Sequence, residues 1–228
     1  MTIKTFTASI LCSLSLVLSP SLSADEAQDK GLTIAKEMKS RDRGWVDSSA
    51  DMEMILRSRG GRETRREMRI LSLEVQNDGD KSMTILDSPN DVKGTAFLSF
   101  THNNADDDQW LYLPALKRVK RIASKNKSGP FMGSEFSYED LSSFEVEEYD
   151  YRWLRDEELN GELCFVVEII PRDKYSGYTR EIVWIDQEHY RAMKIEFYDR
   201  KDGVLKTLTL SDYQLHLDKF WRPGKQTM

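Results

Sequence analysis

The apolar positions of this chain change rhythm twice. They open as a block, Ile10-Leu11-Cys12-Ser13-Leu14-Ser15-Leu16-Val17-Leu18, pass through a short three-residue spacing, and then alternate over most of the remaining length. The three-residue spacing covers residues 25–40. There Leu32, Ala35 and Met38 recur beside Ile34, among Lys30, Lys36, Glu37 and Lys39, and predict an amphipathic helix that Gly44 ends. After Trp45 the period is two. Met52, Met54 and Leu56 alternate with Glu53, Ile55 and Arg57, and Leu71, Leu73 and Val75 share one face of a charged strand. Further strands are predicted near 83–85, 96–100, 109–113, 119–122, 149–154, 163–170, 178–185, 193–198 and 204–210. Gly60-Gly61, Asn77-Asp78-Gly79, Asn160-Gly161 and Asp202-Gly203 supply turns between them. Short strands separated by such turns predict a meandering antiparallel sheet curled into a sandwich or barrel. A second helical pattern is confined to residues 137–143.

Some strands are apolar on both faces. Phe97 opposes Leu98 and Phe100, and Val166 and Ile170 oppose Phe165, Val167 and Ile169. A sheet with one wet face would alternate cleanly. Both faces of these strands are therefore expected to be covered, by a packed helix or by a ligand cavity.

The opening block has a different meaning. Lys4 is the only charge before Asp25, and Pro20 and the small residues Ser21, Ser23 and Ala24 follow the apolar run. That order predicts a secretory signal peptide over residues 1–23, with a run too short for the ~20 apolar residues of a membrane span. Cys12 lies inside the run, preceded by Leu11, and reads as an ordinary leader residue rather than a lipid anchor. The mature chain, 24–228, is expected to be one periplasmic domain with Cys164 as its only cysteine, so no internal disulfide can form. Its net charge of −6 becomes −7 without Lys4, which argues against nucleic acid as a partner.

One segment stands apart. Lys117-Arg118-Val119-Lys120-Arg121-Ile122 leads into Ser128-Gly129-Pro130-Phe131-Met132-Gly133-Ser134-Glu135-Phe136-Ser137-Tyr138-Glu139-Asp140-Leu141. Physically this is a basic strand, a Gly/Pro hinge, a Phe-Met pair between glycines, and a short helix that Ser137 and Asp140 can cap. Phe131, Met132 and Phe136 could form a mobile lid, or plug a surface loop into the core. The cations Lys117, Arg118, Lys120 and Arg121 could blunt a strand edge or dock an anionic headgroup or acidic partner.

With the early Trp45, the Arg66-Glu67-Met68 stretch and Leu111-Tyr112-Leu113-Pro114, the Phe-Met-Gly-Ser-x-Phe-Ser-Tyr-Glu-Asp string resembles periplasmic outer-membrane lipoprotein-sorting proteins of the LolA/LolB-like superfamily. The resemblance implies a mainly β fold: an open antiparallel β-barrel or strongly curved sheet with an N-terminal helix and a short helical lid over an apolar cavity. It implies a carrier that binds the acyl chains of a lipoprotein or lipid for transfer towards the outer membrane. An inner-membrane transporter or an outer-membrane acceptor would then be its partner. Met52, Met54, Leu56, Leu98, Phe100 and Met193 are the expected lining. Arg57, Arg59, Arg65, Arg66 and Arg69 all lie where the superfamily's functional arginine could fall, and none is singled out. The ending Trp221-Arg222-Pro223-Gly224-Lys225-Gln226-Thr227-Met228 stands where that pattern usually runs on into further strands, implying a truncated or more open barrel.

Two other readings belong to different classes. One is a non-transporting accessory subunit of a resistance-nodulation-division type membrane transporter. The other is an enzyme acting on a lipid in the same cavity. For the enzyme there is no residue to back. His102, His189 and His216 are scattered outside any metal spacing, Cys164 sits in an apolar strand, and no nucleophile elbow, phosphate loop or dinucleotide fingerprint is present. Neither a cofactor nor a metal is expected.

Overall fold

The computed structural model describes residues 23–228, so all but the last residue of the expected leader lies outside the described residues. Helix α1 (Ala24–Arg41) begins at a capping box. The Glu26 amide donates to Ser23 Oγ (3.2 Å) and the Ser23 amide donates to Glu26 Oε2 (2.9 Å). Asp25 and Glu26 in the first turn and Lys39 and Arg41 in the last suit the helix dipole. The buried face is Ala27, Gly31, Ile34 and Ala35, with Leu32 and Met38 at its flanks. The face is narrower and smaller than the Leu32–Ala35–Met38 stripe predicts, because the helix lies hard against a strand. A Cβ on Gly31 would stand 2.7 Å from the Trp153 amide nitrogen.

Twelve strands follow as two antiparallel meanders, both mainly β as expected and neither closed into a barrel. The first sheet runs in chain order through β1 (Asp47–Arg57), β2 (Glu63–Leu73), β3 (Lys81–Leu86), β4 (Ala96–Phe100), β5 (Asp108–Leu113) and β6 (Arg118–Ile122). The second contains β7 (Tyr149–Leu159), β8 (Glu162–Pro171), β9 (Arg180–Asp186), β10 (Ala192–Tyr198), β11 (Val204–His216) and β12 (Phe220–Thr227), again each beside the next. Local chemistry explains the turns. Between β7 and β8 the two-residue loop Asn160-Gly161 has φ of 54° and 89°. Two consecutive positive φ values define the tight turn whose twist matches a hairpin, and Asn-Gly adopts them most readily.

The alternation predicts no strand beyond residue 210, and β12 forms across Pro223-Gly224, residues disfavoured inside strands. It is tolerated for two reasons. β12 is a sheet edge, where a missing N–H costs no ladder bond on the open side. Gly224 faces the irregularity at Asp212, whose carbonyl oxygen would lie 2.7 Å from an added Cβ. The short helix expected over residues 137–143 is a single 3₁₀ turn, Glu139–Leu141. Ser137 does not cap it: its hydroxyl bonds Tyr178 Oη (3.0 Å), while its amide donates to Asp140 Oδ2 (2.7 Å).

The core divides between the two sheets. Ile34 and Ala35 of α1 pack with Val167, Ile169, Val183 and Ile185 of the second sheet. Leu86, Phe97, Leu111 and Ile122 of the first sheet pack around Phe131. Residues 123–148 pass from one sheet to the other in irregular turns. The doubly apolar strands behave differently from one another. On β8, α1 covers one face, and Cys164 and Val166 on the other pack with Ile182, Trp184, Leu154 and Met193. On β4 only the Phe97 face is covered, and Leu98 and Phe100 stay half-exposed.

Candidate functional site

Pairing register decides what faces the space between the sheets. Met52 pairs with Met68, Met68 with Leu86, and Thr84 with Phe97, which pairs with Leu111. Side chains on paired residues share a face, so Met54, Met52 and Leu56 belong with the buried inner side. Met52 and Met54 line a cavity of 310 Å³ with Met68 and Ile70 on the sheet side and Phe131, Phe136 and Leu141 opposite. Thioether side chains suit an irregular apolar guest, being flexible and polarizable.

The same register places Leu98 and Phe100 elsewhere. Leu98 pairs with Met83 and Trp110 on the outer face, and Phe100 packs edge-on against Trp110 with Lys81 over its ring. They do not line the cavity. Met193 is likewise displaced, packing with Cys164, Val166 and Trp184 on the far side of the second sheet. The expected lining thus splits: Met52, Met54 and Leu56 share the inner face, and Leu98, Phe100 and Met193 do not. The error is a choice of face at β4, where Phe97, not its neighbours, points inward.

The segment over the cavity is pinned to both sheets. Phe131 is 1% exposed and its ring lies 5.5 Å from that of Phe97 and 5.9 Å from that of Tyr138. Phe136 packs with Tyr178, Phe197 and Leu208 of the second sheet region. Between them the chain folds back: the Phe131 amide donates to the Phe136 carbonyl (2.7 Å), and Met132 (φ 49°) and Gly133 (φ 74°) make the reversal. Of the five candidate arginines, Arg57, Arg65 and Arg69 pair with Glu63, Glu53 and Asp87 at the surface. Arg66 faces inward and donates to the Met132 carbonyl (2.6 Å). On the other side Lys206 donates to Asp140 and to the Glu135 carbonyl. Both phenylalanines are plugged in, and in that position they also roof the cavity.

Two further spaces adjoin it. A cleft of 710 Å³ shares Trp45, Ser72, Asp80 and Ser143 with the cavity and adds Phe144, Tyr190, Tyr213 and Trp221, with Arg41, Arg191 and Arg222 among them. A chamber of 180 Å³ beneath the crossing segment is lined by Glu139, Asp140, Glu148, Glu181 and Lys127. Burial pushes the Glu181 carboxyl up to about 8, with the Asp140 and Glu139 carboxyls adding to it. Glu148 rises to about 8, again mainly by burial, with Asp107 second. Sequence reasoning missed this chamber because its acids come from distant segments.

The remaining candidates are placed plainly. Lys117, Arg118, Lys120 and Arg121 lie at and beside β6, the open edge of the first sheet, with Arg121 paired to Asp108. His102 sits between Asp78 (2.9 Å) and Asp108 (3.5 Å), and His189 lies against Trp221. Cys164 is fully buried, and burial pushes its thiol up to about 11, the behaviour of an inert core cysteine. Among the described residues no cluster of three or more His, Cys, Asp or Glu could hold a metal ion, and no helix is long and apolar enough to cross a membrane.

Two curved meanders, an N-terminal helix and a cavity roofed by a pinned loop define a LolA-like fold. A LolA superfamily protein from Nitrosomonas europaea has this architecture, at TM-score 0.63 and 21% identity, over 90% of this chain and 84% of that one. Two likenesses are nearer. A Vibrio parahaemolyticus protein described as an outer membrane lipoprotein-sorting protein domain is 60% identical, with a TM-score of 0.86, over 87% of this chain and 84% of its own. A DUF1329 family protein from Desulfovibrio piger is 30% identical at TM-score 0.82, over 88% and 85%. A family model described as "Uncharacterized protein" matches residues 78–228, and no curated protein matches the chain. The chain belongs to the family of these two proteins, the outer membrane lipoprotein-sorting protein domain and the DUF1329 protein, and its fold is LolA-like.

Proposed function

We propose that this protein is a periplasmic carrier that takes acyl chains of a lipoprotein or lipid into the methionine-lined cavity and carries them towards the outer membrane. The observation that supports this most directly is the cavity itself: Met52, Met54, Met68 and Ile70 on one wall, Phe131, Phe136 and Leu141 on the other. Each methylene moved from water into such a space contributes ~0.8 kcal/mol. A cavity of this kind therefore offsets, methylene for methylene, the cost of taking an acyl chain out of a bilayer, with no covalent chemistry. The adjoining cleft leaves the headgroup end of a bound lipid room beside polar and aromatic side chains. The leader predicted from residues 1–23 supports a periplasmic location, and the sorting domain of Vibrio parahaemolyticus supports a role in lipoprotein traffic.

The test is native mass spectrometry of protein purified from a bacterial periplasm, followed by extraction and titration with a fluorescent fatty acid. A stoichiometric acyl ligand recovered intact is the expected result. A ligand-free protein that takes up no fatty acid and copurifies with a membrane transporter would overturn the carrier reading in favour of an accessory subunit.

A further inference from the structure

Two antiparallel meanders leave four open strand edges among the described residues: β1, β6, β7 and β12. An open edge is a row of backbone N–H and C=O groups without partners. Proteins ordinarily blunt it by shortness, lysine, proline, a bulge or a cover. Three of the four edges follow that rule. β6 has five residues, of which Arg118, Lys120 and Arg121 are basic. β7 breaks register between Trp153 and Arg155, and α1 packs against its backbone at Arg152 and Trp153. β12 contains Pro223, which has no N–H to donate.

β1 has none of these devices. It runs for eleven residues, Asp47–Arg57, without Pro, Gly or Lys, and keeps one register with β2 from end to end. It is exposed or half-buried throughout. Its hydrogen-bonded neighbour is β2, and no other backbone hydrogen bond among the described residues reaches residues 48–57. Every second residue of such a strand turns its N–H and C=O to the open side. The complement of that ladder is another extended backbone.

Position and charge say which backbone. The inner-face side chains of β1 are uncharged: Ser48, Ala50, Met52, Met54 and Leu56. Met52 and Met54 line the cavity, as does Gln226 of β12, and Ser48 lines the adjoining cleft with Trp221 and Pro223 of β12. The β1 edge is thus one lip of the opening between the sheets, and β12 is the other. A strand added to β1 would lie along that opening and turn every second side chain towards the methionines. On the outer face, Glu53 and Arg57 are held by Arg65 and Glu63, while Asp47 and Asp51 make no ion pair among the described residues. A second copy of the chain laid antiparallel along the full edge would set Asp51 against Glu53, and like charges directly opposite are destabilising. A basic segment suits the two free carboxylates instead.

We propose that the β1 edge binds an extended, basic polypeptide segment as an added strand, and that this segment belongs to the molecule whose acyl chain fills the cavity. The proposal rests on the carrier reading and narrows its cargo to an acylated polypeptide, held by its backbone at β1 and by its lipid between the sheets.

The experiment compares palmitate with a short palmitoylated peptide of alternating threonine and lysine, by fluorescence competition and by hydrogen exchange of the purified protein. The peptide is expected to bind about tenfold or more tightly than palmitate and to protect amides within residues 48–57, which palmitate leaves exchanging. Asp51→Lys should weaken the peptide roughly fivefold. Methylating the peptide's backbone nitrogens at alternate positions removes the donors of one of its edges at a time. One methylated series should lose the advantage over palmitate and the other should keep it. Equal binding of peptide and palmitate, with no protection in β1, would overturn the proposal and leave the carrier reading standing, whereas binding of neither would overturn both. Equal binding of the peptide without its palmitoyl group would break the link between edge and cavity. Protection of β1 that grows with protein concentration alone would give the edge to a second copy of the chain and overturn the proposal as well.

Discussion

Arg66 and Phe131 hold the loop over the cavity by different physics. Arg66 donates to a backbone carbonyl at a residue with φ of 49°, a charge-assisted contact that keeps an otherwise unfavourable reversal in place. Arg66→Leu should raise amide exchange at Met132, Gly133 and Ser134 and lower stability by roughly 1.5–3 kcal/mol, the range for a hydrogen bond to a charged group. Hydrogen-exchange mass spectrometry distinguishes this local loosening from global unfolding. Phe131 instead fills the first sheet's core. Phe131→Ala should cost about 3–5 kcal/mol in chemical denaturation, with a cavity left behind. Glu181 adds a pH effect. Its folded pKa is raised to about 8 by burial, so the folded state binds a proton that the unfolded state releases near the ordinary glutamate range. The stability this contributes is complete below that range and is lost as pH rises through about 8. The melting temperature should therefore fall from mildly acidic to alkaline pH, and Glu181→Gln should flatten part of that fall. The charges facing Glu181 from neighbouring elements, Asp140, Glu139 and Lys206, remain in the variant.

At the scale of elements, α1 is set by one absent side chain. Gly31 lets the helix backbone touch β7, and a Cβ there would meet the Trp153 and Arg152 backbone at 2.7 and 2.9 Å. Gly31→Ala raises intrinsic helix propensity by about 1 kcal/mol, yet the clash is with backbone that cannot rotate away. A lower melting temperature is expected in a thermal melt despite the better helix former. The short crossing segment shows the converse. Its 3₁₀ turns have little stability of their own. They persist because Lys39 reaches from α1 to the Phe144 carbonyl and to Glu145, and Gln109 reaches from β5 to the Tyr138 carbonyl.

For the whole molecule, the first sheet has two apolar faces, and the cavity lies on the one that carries Met52 and Met54. Met54→Asp puts a charge on the cavity wall, where an acyl chain cannot compensate it. It should abolish fatty-acid uptake in a fluorescence titration while leaving the melting temperature within a few degrees. Leu98→Glu should leave uptake untouched. The opposite pattern would return Leu98 to the cavity and contradict the register described here.

Periodicity alone was enough to determine the mainly β class, the N-terminal helix, the hairpin turns and eleven of the twelve strands, because each is a property of a few consecutive residues. Met52 and Met54 were legible as lining for the same reason: on β1 one face is consistently apolar. On β4, where Phe97, Leu98 and Phe100 offer apolar groups to both sides, local pattern could not choose, and the choice fell to Phe131 arriving from a distant segment to cover Phe97. Edge strand β12 escaped because Pro223 and Gly224 are breakers by propensity and become acceptable only beside the irregular Asp212 and at an open edge. The anchorage of the loop over the cavity, Arg66 to Met132 and Lys206 to Asp140, joins residues 66 apart in sequence. Sequence determined which elements exist; which face of each is inside was settled only by tertiary packing, since a strand's two faces differ by a single residue of register and the atoms that bury one of them lie elsewhere in the chain.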